Sequence, residues 1–451
     1  MSIKSSLLAQ NHALYLPAIS ETFARSVHRG SLASSLPLTA SDLNFLDPNN
    51  RHFFYPFALY SAGQAAPANG KEPSPCMVTK RDRAATMIVG DSGGYQIQSN
   101  KIEFDPENTV PRMLRWLEQT ADWSMVLDFP TGGISSGEMR SHAERLQREG
   151  HDLKGMSKSN GLAVDYNACL VQTKINNNRF RDERTLGATR LLNVLQGRSE
   201  RESKHWYDAV KHYPFEGWAF AGAHKDHFSL IVRRLLDLHS DGLLAGCKWI
   251  HVLGVGSLQI GCLLTAVQRA VREATGCDVQ FSFDSATAFR SAAMKSFFLG
   301  HTLDDQGWSV QYEQLSELDQ EADEKLLADV LFERLQQKQR DARSYYPAWT
   351  LAAQKVKLGN LKDARGKLSG DGYNLLMHHN VEGLLKAHSH AQGFFFGADP
   401  LRPNPTEVPL RAKIVAEMIR LLFADLAKGV SVVTLNQRID EWAPRMDDLA
   451  S

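Results

Sequence analysis

The chain has 451 residues, a length that predicts one large domain with additions rather than a single minimal domain. Lysine plus arginine and aspartate plus glutamate each number 51, so the formal net charge is zero, which excludes a protein that coats nucleic acid through bulk positive charge. No run approaches the roughly 20 apolar residues of a membrane span, and the first residues make a poor signal peptide, so we expect a soluble, cytoplasmic protein without a membrane partner.

Short apolar runs that end in Gly, Asp or Gln alternate with stretches of helical spacing along the first 300 residues. Two weaker strand candidates come first, and six clearer ones follow, at residues 14–19, 52–60, 86–90, 124–127, 191–195, 218–220, 249–253 and 279–283. Candidate helices between them cover residues 110–121, 200–212, 228–238 and 258–274. This alternation predicts a parallel sheet covered by helices.

Eight such strands favour an α/β fold of the closed (β/α)8 TIM type, whereas six would also suit an open doubly wound sheet. We favour the barrel because polar residues and glycines follow every strand. The predicted barrel covers residues 10–300 and 371–395, with a helical and basic insertion at 301–370 after the last strand and a C-terminal helical extension at 396–451. A helix at 410–427 would bury Ile414, Met418, Leu421 and Leu422.

Three carboxylates and an amide follow predicted strands, at Asp91, Asp128, Gln196 and Asp284. In a barrel of parallel strands these positions converge on one mouth. Any single aspartate could equally cap the next helix. Three at one mouth are costly to bury unless they are paired or functional, which favours a catalytic site.

Glycines lie at the same strand ends, at Gly93, Gly94, Gly222, Gly254 and Gly256. A missing Cβ lets the backbone come close to a flat ligand, or it permits a tight turn between strand and helix. Both interpretations remain open at this point.

The ordered motifs of the chain resemble those of the tRNA-guanine transglycosylase superfamily. They are DSGGYQIQS at Asp91, VLDFP at Asp128, NVLQGRS at Gln196, WAFAGAH at Gly222, HVLGVGS, and FSFDSATAFR at Asp284. LTASDLNFL near the start and LLMHHNVEGLLKA near the end extend the resemblance over most of residues 14–390. The family exchanges a guanine base for a 7-deazaguanine on a (β/α)8 barrel.

The resemblance implies a role for each matching residue. Asp284 matches the nucleophile that traps the sugar covalently, and Asp91 matches the general acid/base. Tyr95 would flank the flat base, and Arg290 matches an arginine near the nucleic-acid backbone. An acceptor-only carboxylate suits the donor edge of guanine, and O6 needs a donor. The residues expected to contact the base are Ser92, Tyr95, Asp128, Gln196, Gly197, Gly222 and Ala223.

The chain departs from the family at its structural zinc site, which uses C-x-C-x-x-C and a later histidine. His379 lies in the matching context, but no cysteine follows Cys277, so we expect no zinc and no other cofactor. Residues 331–368 occupy that place, with nine Lys/Arg against three Asp/Glu, and Tyr345, Tyr346 and Trp349 lie among them. This stretch is a candidate nucleic-acid surface through Arg340, Arg343, Lys355 and Lys357, and an ordinary solvated surface is the equal alternative.

A base pocket without the tRNA-side cysteines looks most like the DNA-modifying branch of the family. The resulting hypothesis is an enzyme that replaces guanine in DNA with a 7-deazaguanine, with 7-cyano-7-deazaguanine the expected base. Its partners would be DNA, the free base and proteins of a DNA-modification system. The alternatives are a divergent tRNA-guanine transglycosylase, a non-catalytic subunit, and a DNA glycosylase or nuclease.

Overall fold

The computed structural model describes residues 2–30, 32–67, 72–99, 101–131, 137–153, 166–305, 307–315, 323–338, 345–397 and 408–448. Its principal sheet has eight parallel strands. They are β1 (Leu14–Pro17), β2 (Phe57–Ser61), β3 (Met87–Asp91), β4 (Trp123–Met125), β5 (Arg190–Leu195), β6 (Gly217–Phe220), β7 (Trp249–Val252) and β8 (Gln280–Ser285).

The strand order makes this sheet a barrel. β1 pairs with β8, and the order then runs back through β7, β6, β5, β4 and β3 to β2. A parallel bridge joins Ala18 to Leu59, and the Ile19 N–H donates to the Leu59 carbonyl at 2.9 Å, which brings β1 beside β2. The predicted (β/α)8 TIM-type fold is therefore confirmed.

Helices alternate with the strands and cover the barrel. The apolar runs on their inner faces, such as Ile231, Leu235 and Leu238, are buried against the strands, as in other parallel sheets. The described helices of the barrel are Ile3–Ala9, Glu21–Arg29, Ala62–Ala65, Gly94–Gln98, Thr109–Thr120, Gly137–Arg148, Tyr166–Glu183, Glu200–Val210, Phe228–Ser240, Leu258–Thr275 and Thr287–Ala293.

A second, antiparallel sheet follows the barrel, with β9 (Ser296–Leu303) between β10 (Trp308–Gln314) and β11 (Tyr345–Pro347). The sequence did not predict it. The described part of this region also contains three α-helices, Leu327–Lys338, Leu351–Lys355 and Gly370–Phe395. Asn380 on the long helix links β9 to the helix Thr287–Ala293, because its side chain accepts the Phe298 N–H at 2.8 Å and donates to the Ala288 and Ser296 carbonyls.

The C-terminal extension forms two helices, Leu410–Ala427 and Val432–Asp447, that pack on the outside of the barrel. Met418 and Leu422 are buried as predicted, but Ile414 and Leu421 are 37% and 39% exposed, so that part of the prediction is wrong. The helix Leu410–Ala427 packs on the helix Leu258–Thr275. Its buried residues include Val415, Ile419, Leu422 and Leu426, which form an apolar stripe next to the predicted one. Among the described helices, none is both long enough and apolar enough to cross a membrane.

Candidate active site

The three predicted carboxylates lie at one end of the barrel. Asp91 is the last residue of β3, Asp284 is the next-to-last residue of β8, and Asp128 follows β4. Burial raises the pKa of Asp91, and the negative charge of Asp284 raises it further. The charge of Asp91 likewise adds to the effect of burial on the pKa of Asp128. The carboxylates are therefore close enough to act on one another.

Asp284 is 9% exposed and is held by one of its two oxygens. Its Oδ1 accepts the Gly254 N–H at 2.8 Å and lies 3.2 Å from His251 Nε2. Its Oδ2 has no hydrogen-bond partner among the described residues. A carboxylate anchored in this way keeps one oxygen available for bonding to a substrate.

His251 is a contact of this site that the sequence interpretation missed. It lies on β7 directly beside Ser282 on β8, and its Nδ1 is 2.8 Å from the Ser282 hydroxyl. The Trp249 indole N–H donates to the same hydroxyl at 2.8 Å. The sequence signal for this contact is a histidine within the apolar run WIHV. A buried histidine needs a hydrogen-bond partner, and a barrel interior offers few such partners away from a site.

Asp91 accepts two hydrogen bonds. The Ser61 hydroxyl, at the end of β2, donates to its Oδ2 at 2.6 Å, and the Gly93 N–H donates to its Oδ1 at 3.3 Å. These bonds lower the pKa of Asp91, but burial has the larger effect, so the pKa stays above its ordinary value. A carboxyl group with a raised pKa holds its proton to higher pH than an exposed aspartate does, which suits general acid catalysis.

Asp128 and Gln196 form a buried pair. The Gln196 side-chain amide donates to Asp128 Oδ2 at 2.7 Å. Burial, with a smaller contribution from the charge of Asp91, raises the pKa of Asp128 to about 7, against the opposing effect of the Gln196 hydrogen bond. The pair presents carboxyl and amide groups side by side, the combination that the edge of a guanine requires.

Gly222 and Gly197 place the turn after β6 against the turn after β5. Gly222 has a φ of +63°, and a Cβ there would lie 2.7 Å from the Gly197 carbonyl oxygen and 2.8 Å from Gln196 Oε1. The Ala223 N–H donates to the Gly197 carbonyl at 2.9 Å. These predicted base-binding residues are therefore neighbours of the Asp128–Gln196 pair.

Gly93 and Gly94 make room for protein rather than for a ligand. A Cβ on Gly93 would lie 2.6 Å from Gly63 Cα, and one on Gly94 would lie 2.6 Å from the Asp128 carbonyl oxygen. The tight-turn interpretation accounts for both. Ser92 is buried, and its hydroxyl donates to the Val126 carbonyl at 3.1 Å, so only its backbone is free to face a base. Tyr95, at 63% exposed, stands on the surface of the short helix Gly94–Gln98.

A cleft of about 740 Å³ opens beside this end of the barrel, on the side of β8, β1 and β2. Arg290, predicted to lie near nucleic acid, lines the cleft, and so does Arg29, which the sequence interpretation did not single out. The Ser20, Thr22 and Tyr373 side chains contribute hydroxyls. None of the four predicted site residues lines the cleft, so it is distinct from the predicted active site; they are Asp91, Asp128, Gln196 and Asp284.

In the structure, ion pairs with nearby carboxylates neutralise part of the positive charge of residues 331–368. Lys338, Lys357 and Lys362 form ion pairs of 2.7, 2.5 and 2.8 Å with Glu313, Glu324 and Asp323 respectively. Lys355 is exposed, whereas Arg340 and Arg343 lie outside the described residues.

The aromatic residues of this stretch differ in their surroundings. Tyr346 packs against the rings of His301 and His390, at centroid distances of 5.3 and 4.3 Å. Trp349 is exposed. Of the two, Trp349 is therefore the residue that is free to stack on a base.

His379 does not fit a zinc site. Its Nδ1 bonds to the Thr350 hydroxyl at 2.6 Å and its Nε2 to the Phe298 carbonyl at 2.7 Å, so both ring nitrogens are engaged. Burial lowers the pKa of His379 to about 4, which keeps the ring neutral. In the described part of the chain, no group of three or more His, Cys, Asp or Glu side chains is arranged to hold a metal ion.

Comparison with known proteins adds no family assignment. No protein-family model matches the chain, and no curated protein matches it.

Proposed function

We propose that this protein is a base-exchange glycosyltransferase that replaces guanine in DNA with a 7-deazaguanine through a covalent aspartyl-sugar intermediate. The observation that carries the proposal is the meeting of Asp91 and Asp284 at one end of the barrel, where the charge of one raises the pKa of the other. An acid near a nucleophilic carboxylate is the arrangement that covalent exchange at a glycosidic carbon requires.

The first half of the reaction uses both carboxylates. Asp284 Oδ2 forms a bond to C1′ of the deoxyribose while the bond from C1′ to guanine N9 breaks. Asp91 donates its proton to the departing guanine, so that a neutral base leaves. Burial raises the pKa of Asp91 above its ordinary value, which favours the protonated form that this step uses.

The second half reverses these steps with a different base. The incoming 7-deazaguanine gives its N9 proton to Asp91, and N9 forms the new bond to C1′ as the bond to Asp284 breaks. Atoms and charge balance without a cofactor. Asp128 and Gln196 serve both bases, because guanine and 7-deazaguanine share the same Watson–Crick edge.

The zinc-site position favours DNA over tRNA as the substrate. The cysteines that hold the tRNA-side zinc in the family are missing, and both nitrogens of His379 bond within the protein. The cleft with Arg29 and Arg290 begins just past the end of β8, at Ala286, and offers a path for the phosphodiester strand of either nucleic acid. Because a stacked guanine is out of reach, the base has to be extruded or the DNA single-stranded, at a cost of roughly a few kcal/mol.

The test is nucleoside analysis by mass spectrometry after incubation with labelled 7-cyano-7-deazaguanine and either DNA or tRNA. We expect labelled nucleoside in DNA, with release of one guanine for each base incorporated. Asp284→Asn should abolish incorporation while DNA binding stays nearly unchanged. Asp278→Asn is the matched control, because Asp278 is exposed beyond the opposite end of β8 and pairs with Arg272.

Each alternative has its own outcome. Incorporation into tRNA alone would replace the DNA assignment with a divergent tRNA-guanine transglycosylase. Release of guanine without incorporation would indicate a glycosylase, and strand cleavage a nuclease. No reaction with any nucleic acid, together with activity only in the presence of a second subunit, would indicate a non-catalytic role.

A further inference from the structure

We infer that His251 is a positioning residue that fixes which oxygen of Asp284 attacks the sugar. The inference rests on the proposed function, since it assigns a role within that reaction. His251 lies on β7, which pairs with β8, the strand that carries the proposed nucleophile Asp284.

Both donors to Asp284 converge on the same oxygen. The Gly254 N–H and the His251 imidazole reach Oδ1, at 2.8 and 3.2 Å, and none of the described residues bonds to Oδ2. Two donors on one oxygen stabilise its share of the negative charge and prevent the carboxylate from rotating. Oδ2 is therefore presented in one direction, as a near-attack geometry requires.

The imidazole is itself held in place. His251 and Ser282 are register partners on β7 and β8, and the Ser282 hydroxyl lies 2.8 Å from His251 Nδ1. Trp249 donates its indole N–H to that hydroxyl, which leaves the hydroxyl hydrogen free to point at His251 Nδ1. An ionised carboxylate only accepts hydrogen bonds, so His251 Nε2 has to carry the proton.

His251 also serves the second carboxylate. It is fully buried, and its positive charge, when it is protonated, opposes the effect of burial on the pKa of Asp91. One imidazole therefore lies within electrostatic range of the proposed nucleophile and of the proposed acid. The titratable groups around it are Asp284 and Asp91, with Tyr15 close enough to feel the charge of Asp284.

Two other buried histidines lack this arrangement. His224 bonds to the Ser203 hydroxyl and the Ala221 carbonyl, and His379 bonds to the Thr350 hydroxyl and the Phe298 carbonyl. Each of them links neutral groups and has an ordinary structural role. His251 differs from both because one of its two partners is the carboxylate proposed to react.

Two substitutions separate positioning from packing. His251→Gln keeps a side-chain N–H near the position of Nε2, whereas His251→Leu fills similar space without a donor. The measurement is the single-turnover rate of the covalent DNA adduct, together with the Kd for the same DNA. We expect His251→Leu to slow adduct formation roughly 10²-fold with little change in Kd, and His251→Gln to recover most of the rate.

The control is His388→Leu, which replaces a buried histidine that stacks on Tyr15 and contacts neither carboxylate. It should lower the free energy of unfolding without slowing the adduct. Equal adduct rates in His251→Leu and the unaltered protein would overturn the inference, as would equal losses in His251→Leu and His251→Gln. If the unaltered protein forms no adduct at all, the proposed function fails instead.

A readout independent of activity is the protonation pattern of the His251 ring, from its ¹⁵N chemical shifts. The inference requires the proton on Nε2. A neutral ring with its proton on Nδ1 would contradict it, because the unprotonated Nε2 would then face Asp284.

Discussion

Asp128 is almost fully buried, and its carboxyl group accepts a hydrogen bond from Gln196. Burial raises its pKa to about 7, whereas the same group in the unfolded chain titrates near 4. The folded protein therefore holds a proton there that the unfolded chain has already released. Folding loses free energy as the pH rises from about 4 to 7, and we interpret this loss as the cost of a carboxyl group placed to read a base.

Asp128→Asn should remove that loss. Compared with the unaltered protein, we expect the variant to gain a few kcal/mol of stability at pH 8, with little or no gain at pH 4. Base exchange should fall sharply, because an amide cannot supply the same acceptors. Urea unfolding at both pH values measures the stability, and a difference that does not change with pH would contradict the assignment.

Ser61 affects the pKa of Asp91, the proposed general acid. Its hydroxyl donates to Asp91 Oδ2 at 2.6 Å and lowers the pKa of that group against the effect of burial. Ser61→Ala should therefore raise the pKa of Asp91 and move the corresponding limb of the plot of kcat/KM against pH to higher pH. Ser124→Ala, which removes a buried hydroxyl paired with Thr189, is the control and should leave that limb in place. If that limb does not move in Ser61→Ala, the plot of kcat/KM against pH does not report the ionisation of Asp91.

The residues that could be predicted from the sequence are those whose chemistry stands out at a strand end. Asp91, Asp128, Gln196 and Asp284 do so, and the structure brings them to one mouth. His251 does not, because a histidine within an apolar run resembles a core residue until its neighbours on the next strand are known.

At the scale of elements, all eight strands of the barrel could be predicted, because each is a short apolar run that ends at a polar residue or glycine. The second sheet could not. All eight residues of β9 are buried, so its sequence lacks the alternation that marks a half-buried strand. The buried face predicted for the helix Leu410–Ala427 was partly wrong for a related reason. The spacing of apolar residues identifies an apolar stripe but does not show which neighbouring element the helix packs against.

The C-terminal extension stabilises the barrel through a cap supplied from a distance. Asp447 accepts both the Ser229 N–H and the Ser229 hydroxyl at 2.8 Å, in the first turn of the helix Phe228–Ser240. An aspartate there accepts a hydrogen bond from an otherwise unpaired backbone N–H. Its negative charge also interacts favourably with the positive end of the helix dipole.

Asp447→Ala should lower the free energy of unfolding by about 1–2 kcal/mol, the usual worth of such a cap. Glu441→Ala, at an exposed position of the same C-terminal helix, should change it little. Denaturant titration distinguishes the two variants. Equal stabilities would mean that the extension is not coupled to the barrel through this contact.

At the scale of the whole molecule, the zero net charge leaves local clefts as the means of binding nucleic acid. The basic stretch of residues 331–368 is partly neutralised by ion pairs with Glu313, Asp323 and Glu324. Arg29 and Arg290 have no ion pair among the described residues and line the cleft, together with the carboxylate of Asp371. We therefore expect the cleft to contribute more to binding than the paired lysines do.

Arg29→Gln and Arg290→Gln should each weaken DNA binding several-fold and reduce the slope of log K against log salt by about 1. Arg25→Gln is the matched control, because Arg25 lies on the same helix as Arg29 but pairs with Glu21 at 2.5 Å. Fluorescence anisotropy over a range of salt concentrations gives both quantities. A loss in Arg25→Gln equal to that in Arg29→Gln would indicate a general charge effect rather than a site.

The most direct measurement is peptide mapping of the protein after denaturation from a reaction with guanine-containing DNA and no added free base. The proposed mechanism predicts a sugar adduct on the peptide that contains Asp284, its disappearance when 7-deazaguanine is added, and its absence from Asp284→Asn. An adduct on another residue, or none with either DNA or tRNA while exchange proceeds, would contradict it.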